Sequence, residues 1–222
     1  DILTEDEMRI NKYIADAGIC SRRKADELIS NGNVKINGLT VKELGVDVAE
    51  GDVVEVNGSV IEAGRRKVYV AVNKPAGVIT SMDDDRERET VADIVADIPE
   101  RLFPVGRLDY NTTGLLIMTN DGQLTYTLTH PKHEVYKTYV AKVEGVLSGA
   151  RAAKLRRGVD IGGFVTSPAR VKVLKQKKTT GFLFLNYFLL DFLSYVLLAL
   201  LQSFLFSSSL HALPEPVLSS WT

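Results

Sequence analysis

A chain of 222 residues has room for one large domain or two small ones, and its 45% hydrophobic and 25% charged residues exclude a disordered polymer. The single cysteine, Cys20, excludes an internal disulfide and a cysteine-rich zinc site, and it suits a reducing cytoplasm. A net charge of −1 says little about a nucleic-acid partner, so local clustering of charge has to carry that question.

The acidic opening, residues 1–7, is followed by no apolar run, and no signal peptide is expected there. Residues 8–29 read as two short helices. Ile10, Ile14 and Ala17 follow helical spacing, Gly18 ends the first helix, and Ser21 caps a second whose inner face is Ala25, Leu28 and Ile29. "NGNVKINGLTV" (31–41) then alternates around Asn37-Gly38, the strongest short hairpin signal. "GDVVEVNG" (51–58) reads as a further strand. Basic residues gather on this module at Arg9, Lys12, Arg22, Arg23, Lys24 and Lys35. The plain reading is a solvated face, and the functional one is a surface that tracks phosphates. Arg22 and Arg23 stand in the first turn of a helix, where cations oppose the macrodipole, and a partner bringing negative charge would offset that.

"RINKYIADAGICSRRKADELISNGNVKINGLTV" resembles the RNA-binding module named after small-subunit ribosomal protein four. The resemblance covers residues 8 to about 58. It implies that the helix pair and the following strand contact structured RNA through Arg9, Lys12, Ser21, Arg22, Arg23, Lys24 and Lys35.

Residues 62–67 read as a polar linker. "VYVAVNKPAGVITS" (68–81) is a strand that breaks at Pro75, which cannot donate to a sheet. "DDDRERET" (83–90) is read as a solvated charged loop, and "VADIVADI" (91–98) as a short amphipathic helix. In "FPVGRLDYNTTGLLIMTNDG" (103–122), residues 115–119 form a buried strand. If 107–109 is extended, Leu108 anchors in the core while Arg107 and Asp109 share the opposite face. The guanidinium would favour an ionised carboxylate. For the tripeptide alone, an exposed turn with a weak surface ion pair is the plainer reading.

Context reverses that. "NKPAGV", then "GRLDYNTTGLLIMTNDG", then "HPKHEVYKTYVAKV" is the order found in the RsuA-like family of ribosomal RNA pseudouridine synthases, and "THPKHEVYKTYVAKV" is closest to the branch that modifies large-subunit RNA. The resemblance implies that Asp109 is the catalytic aspartate, that Arg107 helps hold the uridine out of its helix, and that Tyr139 packs against the base. Lys74 matches a Lys-Pro-x-Gly loop with either a backbone role or RNA contact. No cofactor is implied, and His130 and His133 in "HPKH" lack the further ligands a zinc site needs.

After Lys178 the composition shifts abruptly: residues 179–222 hold no Lys or Arg and are rich in Phe and Leu. The family's "GxNRQVRRM"-like motif, which supplies a basic partner for the aspartate, has no counterpart here. Three readings stand: a membrane span over 181–206, a helix covering the sheet, or a frameshifted or mis-joined end, and the last is preferred. The expected fold is α+β, a small αα-hairpin-plus-strands RNA-binding module (1–61) and linker (62–67). A mixed, mainly antiparallel catalytic sheet domain with flanking helices (68–178) follows, C-terminally incomplete, and then an apolar tail (179–222). The expected function is pseudouridylation of a ribosomal RNA uridine by a cytoplasmic monomer. The alternative is an RNA-binding protein whose catalysis is lost with the missing motif.

Overall fold

A computed structural model describes residues 8–64, 66–144, 148–160, 165–176, 180–187 and 218–221. The chain divides into two compact units: Asp1–Val68 with Ile98–Arg101 and Asn120–Gly122, and the remainder.

In the first unit, β1 (Met8–Arg9) leads into α1 (Ile10–Asp16) and α2 (Arg22–Ser30). Gly18, at φ +76°, closes α1 by giving its N–H to the Ala15 carbonyl, and the Ser21 hydroxyl accepts from the Lys24 N–H to cap α2. β2 (Val34–Ile36) and β3 (Leu39–Val41) form the expected hairpin, with Asn37 and Gly38 both at positive φ. β4 (Asp47–Val48) pairs with β1. The strand read at 51–58 is shorter, β5 (Val54–Val56), because Asn57-Gly58 repeats the same turn and returns the chain as β6 (Ser59–Ile61). The sheet runs β3-β2-β5-β6. Ile10, Ile14, Ala25 and Ile29 from the helices meet Val34, Val54 and Val56 from the strands in one apolar core.

In the second unit β7 (Tyr69–Lys74) stops before Pro75. The helix expected over 91–98 is a single turn, α3 (Val91–Ile94), held by Asp93 accepting from the Thr90 N–H and hydroxyl. Then come β8 (Phe103–Val105), β9 (Thr113–Thr119), α4 (Gly122–Thr129), a 3₁₀ turn at Pro131–His133 and β10 (Lys137–Glu144). After α5 (Gly149–Arg157) follow β11 (Arg170–Gln176), β12 (Thr180–Tyr187) and β13 (Leu218–Trp221). The sheet runs β11-β12-β10-β13-β9-β7, with β8 also on β9. Only β13 with β9 is parallel among these pairs, so the sheet is mixed and mainly antiparallel as expected.

The composition break after Lys178 is not a break in the fold. β12 pairs with β10 from Lys137↔Tyr187 to Glu144↔Thr180, and with β11 on its other side. The span read as a possible membrane segment, 181–206, therefore opens as strand, and its residues 188–206 lie outside the described residues. Among the described residues no helix is long and apolar enough to cross a membrane.

Candidate active site

The loop between β8 and β9 carries Arg107 and Asp109, and β7 with its following turn holds it in place. Lys74 is fully buried, and its ammonium donates to four carbonyls: Pro75 (2.9 Å), Asp109 (3.0 Å), Tyr110 (3.3 Å) and Thr112 (2.9 Å). Pro75 ends the strand, Gly77 at φ +84° turns the chain, and the Gly77 N–H donates to the Tyr110 carbonyl. The buried Thr80 hydroxyl donates to the Leu108 carbonyl (2.6 Å) and accepts from the Leu108 N–H (3.2 Å). Leu108 is buried, Asp109 half-buried and Arg107 exposed, the alternation expected of an extended tripeptide.

Asp109 Oδ2 is buried without a hydrogen-bond partner among the described residues. Burial pushes the carboxyl above its ordinary range, against the opposing charges of Arg107 and then Lys74. Arg107 favours the ionised form, as expected from the sequence, but desolvation acts more strongly than either cation. Burial likewise pulls Lys74 below the ordinary lysine range, with Asp109 opposing. A cavity of about 330 Å³ opens beside the loop, walled by Arg107 and Leu108, by Leu116 of β9, and by Tyr136 and Tyr139. Tyr139 is buried in β10, opposite Leu185 of β12. Arg107 and Tyr139 thus meet on one cavity, while Asp109 sits at the next position, outside its lining.

Several cations expected to face RNA have other partners. Lys74 is out of reach, since its ammonium is enclosed by backbone oxygens. Arg9 pairs with Asp47 (3.2 Å) and donates to the Gly45 carbonyl, and Lys24 pairs with Glu27 (2.6 Å). The Ser21 hydroxyl is engaged by the α2 cap, and Arg22 reaches Asn11 (3.4 Å). Lys12, Arg23 and Lys35 are exposed and have no ion-pair partner among the described residues.

Residues 68–184 match the family described as RNA pseudouridylate synthase, more than half of the chain, and residues 8–54 match the S4 domain. The chain belongs to the RNA pseudouridylate synthase family. It is 49% identical over 175 residues to the ribosomal large subunit pseudouridine synthase B of Bacillus subtilis, covering 78% of this chain and 71% of that one. It is 38% identical over 173 residues to the dual-specificity RNA pseudouridine synthase RluF of Escherichia coli, covering 77% and 59%. A solved pseudouridylate synthase superposes with a TM-score of 0.57 at 26% identity, covering 97% of this chain and 88% of that one.

The synthase match runs past Lys178 to residue 184, into β12. Within the synthase unit, sequence reading missed Thr80, which holds both backbone groups of Leu108, and Tyr136 on the cavity wall. A polar Thr80 closing the apolar pair Val78-Ile79 was the available signal for the first. Nothing in the sequence marked Tyr136 off from the other tyrosines of its segment.

Proposed function

We propose that the chain isomerises a uridine of large-subunit ribosomal RNA to pseudouridine, with Asp109 as its catalytic carboxylate. The N1–C1′ bond breaks, the uracil turns, and a C5–C1′ bond forms while C5 gives up its proton and N1 gains one. A carboxylate positioned as nucleophile, or as counter-charge to the separated sugar, supports that sequence, and a water-poor site prevents hydrolysis. Arg107 helps keep the uridine out of its helix. Tyr139 packs on the base, and stacking tolerates a ring that must rotate. Lys12, Arg22, Arg23 and Lys35 meet phosphates.

The observation that supports this most is Asp109 Oδ2: buried, without a partner among the described residues, and held by a loop whose backbone is tied at Leu108, Asp109, Tyr110 and Thr112. Burying a carboxylate oxygen without a hydrogen bond costs stability, which a role in chemistry would explain. Asp109→Asn is expected to lower pseudouridine formation on ribosomal RNA at least ~10³-fold, read by carbodiimide primer stops, with RNA affinity retained. Retained turnover would remove Asp109 from the mechanism. RNA binding without isomerisation is the second reading: the match of residues 8–54 to the S4 domain supports an RNA-binding module whether or not catalysis is retained. Tritium release from labelled uridine by the unaltered chain separates the two.

A further inference from the structure

Part of the wall of the cavity beside the Asp109 loop has no role in the isomerisation as proposed. Leu128 of α4, with Val135 and Tyr136, belongs to its wall. Tyr126 of α4 is 39% exposed, and Tyr136 on that wall is 47% exposed. Each ring carries a cation: Lys132 Nζ lies 4.7 Å from the Tyr126 ring centre, and the Arg170 guanidinium 5.0 Å from that of Tyr136. His130 packs on Tyr126 at 4.6 Å, and His133 meets it edge-on at 5.4 Å. The His130 Nδ1 accepts from the Lys132 N–H at 3.3 Å. Neither Lys132 nor Arg170 is ion-paired among the described residues, and Glu134 is the only carboxylate between residues 122 and 137.

Exposed rings beside unpaired cations match one chemistry well. A nucleotide offers a flat π face to the ring or guanidinium plane and a phosphate to the charge. A protein partner would gain more from aliphatic side chains, which this row lacks. Paired bases already stack on their neighbours, so only unpaired nucleotides can use such a surface.

We propose that Tyr126, His130, Lys132, His133, Tyr136 and Arg170 form a docking row for unpaired RNA nucleotides flanking the target uridine. The row leads along the α4–β10 connection to the cavity and selects a loop or bulge over a duplex. This rests on the reading of the chain as a synthase.

The test compares the full chain with Tyr126→Ala, Tyr136→Ala, Lys132→Gln and Arg170→Gln. The probes are a hairpin RNA with a uridine in its unpaired loop and a fully paired duplex of the same composition, titrated by fluorescence anisotropy at several salt concentrations. Each tyrosine replacement is expected to weaken hairpin binding about 5- to 100-fold and leave duplex binding unchanged. Each cation replacement should lower the log–log salt slope on the hairpin by about 0.7. Tyr136→Phe, which keeps the ring, should bind as the unaltered chain does and separates loss of stacking from loss of fold. Equal losses on both RNAs, unchanged affinities, or no hairpin binding by the unaltered chain would overturn the proposal. Loop-selective binding that depends on these residues, without pseudouridine formation, would uphold the row and remove the synthase reading. Pseudouridine formation with unaffected variants would do the reverse.

Discussion

Asp109 is placed by backbone hydrogen bonds made by other residues, and its electrostatics follow from where those bonds put it. Its folded carboxyl is raised above the unfolded value, so between those two values the native state holds a proton that the unfolded chain has released. Stability contributed by this group is therefore greatest below the unfolded pKa and falls as pH rises through the folded one. Asp109→Asn should accordingly be more stable than the unaltered chain at neutral pH, with the difference vanishing in acid below the ordinary carboxylate range; urea midpoints at the two pH values decide it. Lys74 acts in the opposite sense. Lys74→Met leaves four carbonyls without their shared donor and Asp109 without a compensating charge. It is expected to cost at least about 2–3 kcal/mol in chemical denaturation and to move the Asp109 carboxyl further upward, measured by carbon-detected NMR titration.

Helix α2 shows how a row of cations divides once partners are assigned. Lys24 is neutralised by Glu27, whereas Arg23, and Lys12 on α1, are not ion-paired among the described residues. Replacing Lys12, Arg23 and Lys35 by Ala should lower the salt slope of ribosomal RNA binding by about 2–3, near 0.7–0.9 per phosphate contact. Lys24→Ala should leave the slope nearly unchanged, since its charge is already met. Strand β12 flanks Tyr139 in the sheet. Leu185 is 1% exposed and lies opposite both Tyr139 and Val171. Leu185→Ala is expected to destabilise the chain by about 2–5 kcal/mol, read by thermal or urea unfolding.

The synthase sheet as a whole depends on residues that composition alone would set apart. β12 supplies hydrogen bonds to β10 on one side and to β11 on the other, so it is an interior strand. A chain ending at Lys178 would expose facing edges on both neighbours, whereas the unaltered chain keeps them covered. The shorter form is expected to aggregate and the longer to elute as a defined species by size-exclusion chromatography with light scattering. Equal behaviour of the two would mean that β12 contributes nothing to solubility.

Local chemistry was enough to reveal much of this protein. Asn37-Gly38 specifies a hairpin wherever it stands, Ser21 caps a helix through atoms three residues away, and the Arg-Leu-Asp alternation places Leu108 inward by strand geometry alone. The ordered motifs carried family membership for the same reason, being short runs whose residue types are visible without a fold. Partner assignment was different. Lys74 reads equally as a surface cation until Asp109, Tyr110 and Thr112, some 35 residues on, close around it. Thr80 looks like any strand residue until Leu108 arrives opposite. An apolar run such as 180–187 carries no mark of strand or membrane helix, because hydrophobicity states only that a segment avoids water. Pairing with β10 and β11 made it a strand, and burial beside two cations, set by long-range packing, decided which way the Asp109 carboxyl shifts.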